Sequence, residues 1–415
     1  MPIAILLKAI ITMGLCLLLF YPLIEKFNQT HNRIYQTCQF VFERIIPVGA
    51  DLSQWLRDCR MKSRYVMRET AEPKPQLERG NQILSELKVS HLELFGPQES
   101  AAILTDTDLE NGIESKFMDG ELIITRIFPG SEAQKKGLQS GDRVVLGKNE
   151  SMGTYTLNRW RGELALERRK KIYTVKLEPK TFTLQRPIRV SEVEGVKIIS
   201  VESFKSHYFD PQKLESVFAK INPGDKVIVD LRGNNGGNFV AGLRVLTPFL
   251  CQPTVVGHLK KNRDLGRVGY FDDDLDDEYQ IQTLARYDSI ALKTFKTKHC
   301  LPRPQMVLVD AQSKSTAEWV ALAFRELFKT PIYGAGTAGE LLVAIFYPLT
   351  DIWGPGVTIS IPVAYYHSLA GKTIEGRGLV VDGNIYSHRS DYERGYDSEQ
   401  WQAARLVNHA ETDLL

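Results

Sequence analysis

The chain begins with an apolar stretch from Ile3 to Ile24, in which Lys8 is the single charged residue. This stretch approaches the roughly 20 residues that a helix needs to span a bilayer. No small-x-small cleavage pattern follows it, which favours an uncleaved membrane anchor over a removable signal peptide for residues 1–24. Either alternative would export the rest of the chain. We therefore predict a cell-envelope protein on the periplasmic or extracytoplasmic side, anchored in the inner membrane.

Hydrophobic residues then recur at helical spacing over residues 25–75, and Pro47 with Gly49 interrupts them, which predicts a helical hairpin. The sequence Glu72-Pro-Lys-Pro predicts a linker after the hairpin. A further helix, ending near His91, begins the segment 76–111, which we interpret as the start of the main domain.

Between residues 112 and 183 the pattern changes to short strands separated by turns. Glu121-Leu-Ile-Ile-Thr-Arg-Ile-Phe predicts a strand, and Pro129-Gly-Ser-Glu-Ala-Gln-Lys-Lys-Gly-Leu-Gln-Ser-Gly-Asp142 predicts a short helix and a turn before the next strand. This string resembles a PDZ domain. The resemblance implies a module that binds extended polypeptides or peptide carboxyl termini by adding a strand to a sheet edge. A small β module without a ligand is the alternative.

Over residues 184–390 strands and helices alternate, which predicts an α/β layer. A polar insertion separates Cys251 from Cys300 and contains the acidic run 272–278. This run lacks the glycine and the terminal glutamate of an EF-hand loop, so we predict a solvated loop and no calcium site. Residues 391–415 form a C-terminal tail.

The composition is that of an ordinary globular protein, with 43% hydrophobic and 25% charged residues. The formal net charge of +2 provides no basic field for a phosphate backbone, so we expect no nucleic-acid partner. In an exported chain, the order of the cysteines favours disulfides between Cys38 and Cys59 and between Cys251 and Cys300. Buried free thiols are the alternative.

Two strand ends carry residues suited to chemistry. Asp230-Leu-Arg-Gly-Asn-Asn-Gly-Gly237 follows an apolar strand and precedes a helix, so its backbone N–H groups can face an anion. It lacks the Lys-Ser/Thr pair of a phosphate loop, so the sequence gives only weak support for a nucleotide-binding site. Val309-Asp-Ala-Gln-Ser-Lys-Ser-Thr-Ala-Glu318 places Ser315 between a buried strand and a helix. Taken alone, Ser315 to Glu318 is typical of a helix capping box.

Together with Gly376-Arg-Gly-Leu-Val-Val-Asp382, these motifs resemble the carboxyl-terminal processing proteases, which are tail-specific serine proteases related to the tricorn-like peptidases. The resemblance covers about residues 80–390. It implies an α/β fold with a crotonase-like β/α spiral and an inserted PDZ-like domain. It also implies Ser315 as the nucleophile, the N–H groups of Thr316 and of Gly236 or Gly237 as the oxyanion hole, and no cofactor or metal.

The sequence departs from that family at the catalytic base. The family has a lysine at the end of a Gly-x-x-Thr-x-Gly-Lys segment, where this chain reads Gly334-Ala-Gly-Thr-Ala-Gly-Glu340. A serine hydroxyl is a weak nucleophile until a neighbouring base accepts its proton. Either another base substitutes or the protein is inactive, and a local salt bridge is one role open to Glu340.

The tricorn-like branch implies a different base. Its pattern assigns the base to His91, the orienting acid to Glu375 and a hydrogen bond that supports Glu375 to Ser90. Two lysines, Lys314 and Lys329, remain as substitute bases. The sequence therefore predicts an exported serine endopeptidase that forms an acyl-enzyme and recruits polypeptide through its PDZ-like module. A pseudoprotease that serves as a peptide-binding scaffold in the cell envelope is the alternative.

Overall fold

The computed structural model describes residues 32–69, 72–104, 108–146, 152–182, 187–261 and 266–409. The predicted membrane segment lies outside these residues. Within them, no helix is both long and apolar enough to cross a membrane. The chain divides into two compact units. The first contains the described residues up to Ser100 together with residues 344–363, and the second contains the other described residues.

The helices, in chain order, are α1 (Arg33–Phe42), α2 (Leu52–Glu69), α3 (Pro73–Leu84), α4 (Pro97–Leu104), α5 (Glu132–Lys135), α6 (Thr154–Asn158), α7 (Pro211–Phe218), α8 (Phe239–Leu250), α9 (Asp277–Arg286), α10 (Thr316–Phe328), α11 (Thr350–Trp353), α12 (Arg389–Glu393) and α13 (Ser398–His409). The strands are β1 (Glu93–Phe95), β2 (Asp108–Glu110), β3 (Ile113–Met118), β4 (Glu121–Ile127), β5 (Arg143–Val144), β6 (Gly162–Arg168), β7 (Lys171–Leu177), β8 (Lys180–Phe182), β9 (Ile188–Val193), β10 (Val196–Val201), β11 (Val227–Asp230), β12 (Val255–Lys260), β13 (Val268–Tyr270), β14 (Ser289–Lys293), β15 (Met306–Val309), β16 (Ile332–Gly334), β17 (Leu342–Pro348), β18 (Thr358–His367) and β19 (Gly383–Asn384). Short 3-10 turns occupy Ser85–Leu87 and Ser206–Tyr208.

The first unit contains the predicted helical hairpin. A disulfide between Cys38 and Cys59 joins α1 to α2, as the order of the cysteines predicted. The apolar faces of these helices share a buried core with α3, where the Trp55 indole N–H donates to the Ile83 carbonyl at 3.2 Å. Strand β1 pairs antiparallel with the beginning of β18. The segment predicted to start the main domain thus belongs, up to Ser100, to this unit.

One local prediction, the linker at Glu72, was wrong, and another, the solvated loop over the acidic run, holds for residues 272–276 but not for the last two residues of that run. The proposed linker at Glu72 is the beginning of α3, with Pro73 in its first turn. Proline fits there because the first N–H groups of a helix have no partner within it. In the acidic run, the Asp276 carboxylate accepts a hydrogen bond from the Glu278 N–H at 2.8 Å and caps α9. The end of that run is therefore helical, because carboxylates are stabilised at the positive end of a helix.

Residues 112–179, which we call the β module, fold as a five-stranded antiparallel sheet in the order β3-β4-β5-β6-β7 with the short helices α5 and α6. Leucine, isoleucine and valine side chains from the sheet form its separate core. Strands β3 and β7 are the two end strands of the sheet. Gly141 allows a close approach to α12, since a Cβ there would lie 2.5 Å from the Glu393 Cγ.

The main sheet of the second unit has the order β19-β16-β15-β11-β10-β9. All neighbouring strands are parallel except β9 and β10. Strands β11 and β15 are buried along their whole length, which explains their continuous apolar sequences. The predicted tail contains α13, whose Ala403, Ala404 and Val407 pack against this sheet.

Helices α8 and α10 pack against each other, and Gly242 permits the contact because a Cβ there would lie 2.5 Å from the Trp319 ring. The polar insertion contributes β12, β13 and β14 to a further sheet, which also contains β18. In this sheet, β12 pairs with β14 and with the end of β18, and β13 pairs with β14. The second predicted disulfide, between Cys251 and Cys300, brackets this insertion.

Candidate active site

Two loops meet where neighbouring parallel strands end. The glycine loop, Leu231–Asn238, follows β11, and the serine loop, Asp310–Ser315, follows β15. The Lys314 N–H donates to the Asn234 carbonyl at 2.9 Å, and the Ser313 hydroxyl donates to the Leu231 carbonyl at 2.8 Å. The parallel register of the two strands thus brings together motifs that lie about 80 residues apart.

Ser315 occupies a strained backbone position at the start of α10. Its φ of 51° and ψ of −117° are rare for any residue other than glycine. The glycine loop passes directly beside it, because a Cβ at Gly236 would lie 2.7 Å from the Ser315 Cβ. A sharp turn between strand and helix is the kind of site that presents a nucleophilic hydroxyl.

The predicted oxyanion donors differ in their hydrogen bonds. The Gly236 N–H already donates to the Asn234 side-chain oxygen at 2.8 Å. The N–H groups of Gly237 and Thr316 have no acceptor among the residues that the structure describes. The Thr316 hydroxyl donates to the Gly237 carbonyl at 2.7 Å and joins the two backbones. Of the two glycines, Gly237 therefore suits an oxyanion hole better.

Glu318 holds this turn together from inside the protein. Its buried carboxylate accepts hydrogen bonds from the N–H groups of Ser315 at 3.1 Å, Gly339 at 2.8 Å and Glu340 at 2.9 Å, and from the Thr337 hydroxyl at 2.5 Å. Burial raises the pKa of Glu318, while these four hydrogen bonds act in the opposite direction. The sequence indicated only a capping partner for Ser315. The contacts with the segment 337–340 are long-range and had no signal in the local pattern.

The two lysines considered as substitute bases are poorly placed to accept the Ser315 proton. Lys314 forms an ion pair with Glu340, with an Nζ to Oε1 distance of 3.0 Å, so Glu340 does make a local salt bridge. A base role for Lys314 would require this pair to break. Lys329 follows the far end of α10, whose 13 residues at about 1.5 Å each place it roughly 20 Å from Ser315. This distance excludes Lys329 as a direct base.

Glu375 lies close to the serine loop through a chain of backbone contacts. Its Oε2 accepts hydrogen bonds from the N–H groups of Leu341 at 2.7 Å and Leu342 at 3.1 Å. The Gly376 N–H donates to the Gly339 carbonyl at 2.8 Å, and the Ser315 N–H donates to the Glu340 carbonyl at 3.0 Å. The carboxylate is half-buried and sits beside the segment that contacts Ser315.

Ser90 and His91 belong to the first unit, where they form the turn between the Ser85–Leu87 helix and β1. Both side chains are half-buried. His91 has a φ of 59°, the left-handed conformation that residues other than glycine adopt infrequently. The assignments of His91 as the base and of Ser90 as the hydrogen-bond partner that supports Glu375 stay predictions.

Arg232 of the glycine loop forms two ion pairs to which the sequence assigned no role. Arg232 contacts Asp230 at 2.7 Å and Asp397 at 2.8 Å. Burial alone would raise the pKa of Asp230, but the charge and hydrogen bonds of Arg232 outweigh it and lower the pKa to about 2. The described residues contain no group of three or more histidine, cysteine, aspartate or glutamate side chains that could hold a metal ion.

Comparisons with known proteins agree with the fold and the motifs. The model of the family described as Peptidase family S41 matches residues 195–385. The carboxy-terminal processing protease CtpA of Bacillus subtilis (strain 168) is 25% identical over 283 residues, which cover 65% of this chain and 54% of that protein. The match therefore spans about half the length of this relative.

Two further matches cover more of the chain. The carboxyl-terminal-processing protease of Synechocystis sp. (strain ATCC 27184 / PCC 6803 / Kazusa) is 21% identical, over 86% of this chain and 81% of that protein. The crystal structure of mature CPAF aligns with 92% of this chain and 98% of its own, with a TM-score of 0.59 and 14% identity. Structural likeness at this identity shows the fold alone.

Proposed function

We propose that this chain is a serine endopeptidase of peptidase family S41 that cleaves polypeptides through an acyl-enzyme, on the premise that residues 195–385 match that family and that carboxyl-terminal processing proteases are similar to the chain. The observation that carries the proposal is the geometry at Ser315. A serine in a strained turn stands beside two backbone N–H groups, those of Thr316 and Gly237, that have no acceptor among the described residues. Unpartnered N–H donors next to a nucleophile are what an oxyanion requires.

In the proposed reaction, the Ser315 oxygen attacks the carbonyl carbon of a peptide bond while its proton passes to His91. The carbonyl oxygen becomes an oxyanion that accepts hydrogen bonds from Thr316 and Gly237. His91 then gives the proton to the leaving amine, and the C–N bond breaks to leave an ester on Ser315. A water molecule hydrolyses this ester by the same steps. Glu375 orients the imidazole and stabilises its charged form, and Ser90 supports Glu375.

Labelling with a fluorophosphonate tests this proposal. We expect the probe to phosphonylate Ser315, because an activated serine displaces the leaving group of the probe whereas an ordinary hydroxyl does not. The Ser315→Ala variant should lose the label, and the Ser216→Ala variant, altered at an exposed serine of α7, should keep it. Intact-mass analysis and peptide mapping would locate the label.

The rival interpretation is a pseudoprotease that binds peptides without cleaving them. It is favoured by the substitution of Glu340 for the family lysine and by the Lys314–Glu340 ion pair at that position. A folded protein that neither reacts with the probe nor cleaves unfolded polypeptides would establish the pseudoprotease and contradict the endopeptidase.

We also propose that the β module recruits polypeptide in the manner of a PDZ domain. The other end strand, β7, supports this role, because the outer backbone groups of an end strand can pair with an added strand. Removing residues 112–179 is then expected to raise the KM for long unfolded chains more than the KM for short peptides. Retained labelling of Ser315 would show that the shortened protein folds. Equal KM values for long chains with and without the module would contradict recruitment.

The exported location remains part of the proposal. Two disulfides are typical of proteins in oxidising compartments, and they support export of the described residues. Recovery of the full chain in the soluble cytoplasmic fraction of its source cells would contradict this location.

A further inference from the structure

Strand β3 of the β module contacts both loops of the candidate site. The Gln312 side-chain N–H donates to the Ser115 carbonyl at 3.0 Å. The Glu114 side chain lies against Gly233, where a Cβ would meet its carboxylate at 2.9 Å. Lys116 reaches the Asp310 carboxylate at 3.8 Å. Three consecutive residues of one strand thus contact the serine loop or the glycine loop.

A single carboxylate fixes the two loops to each other. The Oδ1 atom of Asp310 accepts hydrogen bonds from the N–H groups of Gly233, in the glycine loop, and of Gln312, in the serine loop, both at 3.0 Å. Its Oδ2 atom is the one that faces Lys116. A shift of Asp310 would therefore move the glycine loop and the serine loop together.

Lys116 also connects the module to Arg232 through Glu399 of α13. The Lys116 Nζ lies 2.6 Å from the Glu399 Oε2, and Arg232 contacts the same oxygen. Burial alone would raise the pKa of Glu399, but Arg232 and Lys116 outweigh it and lower the pKa to about 2. Only 23% of the Lys116 side chain and 8% of the Glu399 side chain are exposed. In such a buried cluster, removing one charge leaves its partner uncompensated.

We propose that strand β3 positions the active-site loops, with Lys116 as the principal positioning residue, so that the β module sets the geometry of the oxyanion donors as well as recruiting substrate. This inference rests on the proposed function for its catalytic consequence. The two roles are separable, because recruitment affects the KM for long chains whereas positioning affects kcat for every substrate.

The test uses the full chain with Lys116→Met, which retains most of the side-chain volume and removes the charge. Lys171→Met is the matched control, since Lys171 is an exposed lysine at the start of β7. On a short peptide, Lys116→Met is expected to lower kcat by about tenfold or more with KM within about twofold, and Lys171→Met is expected to change neither. Lys116→Arg retains the ion pairs and should restore most of the activity.

Hydrogen exchange provides a readout that does not depend on catalysis. Amides of the glycine loop and the serine loop should exchange at least about tenfold faster in Lys116→Met than in the unchanged protein, while those of β11 and β15 keep their protection. Gln312→Ala removes the hydrogen bond to Ser115 and leaves no buried charge uncompensated. It should therefore produce a smaller increase in amide exchange at the same loops. If Lys116→Met does not fold, Gln312→Ala takes its place in the exchange measurement.

The outcomes separate the two proposals. Unchanged loop exchange in folded Lys116→Met, or in Gln312→Ala where Lys116→Met does not fold, would overturn the positioning role, whatever the activity. Faster loop exchange in a protein that neither cleaves peptides nor reacts with the fluorophosphonate would support positioning and contradict the endopeptidase. If Lys116→Met lowers kcat and Lys116→Arg does not recover it, the charge of Lys116 is not what positions the loops.

Discussion

Replacing His91 with alanine is expected to lower kcat by at least about a hundredfold, because removal of a general base costs two to four orders of magnitude in many enzymes. The prediction rests on the Ser90-His91 sequence and on the absence of the family lysine at position 340. The melting temperature should change little, because the side chain is only half-buried.

The pH profile of the unchanged protein provides a second measurement of the same base. A protonated imidazole cannot accept the serine proton, so activity should rise with pH between about 5.5 and 7.5. His409→Ala, altered at the exposed end of α13, should retain both the rate and the profile. If His91→Ala kept full activity, the triad would be wrong and Lys314 would become the base to test, with its Glu340 ion pair broken in the active form.

Local sequence patterns predicted the parts of the site that adjacent residues determine. Ser315 lies between a buried strand and a helix because an apolar strand and a helical pattern meet there. The cysteine order gave both disulfides, and the sequence from Pro129 to Asp142 gave the helix and turn of the β module. Each of these features depends on spacing within a short segment or on a small number of possible pairings.

The parts that the sequence could not predict depend on contacts between distant segments. Glu318 was interpreted as a capping residue, but it also binds Thr337 and Gly339, which only the folded chain brings near. Lys116 and Glu399 are 283 positions apart, so no local pattern relates them. The start of α3 at Pro73 was missed because proline interrupts a helix in its interior but is favoured in its first turn.

Two carboxylates compete for the role of the orienting acid, and their surroundings favour Glu375. Glu340 is engaged by the Lys314 ammonium at 3.0 Å, so its charge is already compensated. The Oε2 atom of Glu375 accepts hydrogen bonds from the N–H groups of Leu341 and Leu342. Backbone hydrogen bonds of this kind fix the orientation of a carboxylate, which is what a Ser-His-acid triad requires of its acid.

Glu375→Gln is therefore expected to lower kcat by about a hundredfold or more, with little change in melting temperature. The amide oxygen of glutamine can still accept the hydrogen bonds from Leu341 and Leu342, so the local structure is retained. The negative charge that stabilises the imidazolium in the transition state is lost. Glu340→Gln is the matched control, because it removes a charge from the same neighbourhood and should reduce kcat much less. Steady-state kinetics on one short peptide would compare the two variants, and a larger loss in Glu340→Gln would transfer the orienting role to Glu340.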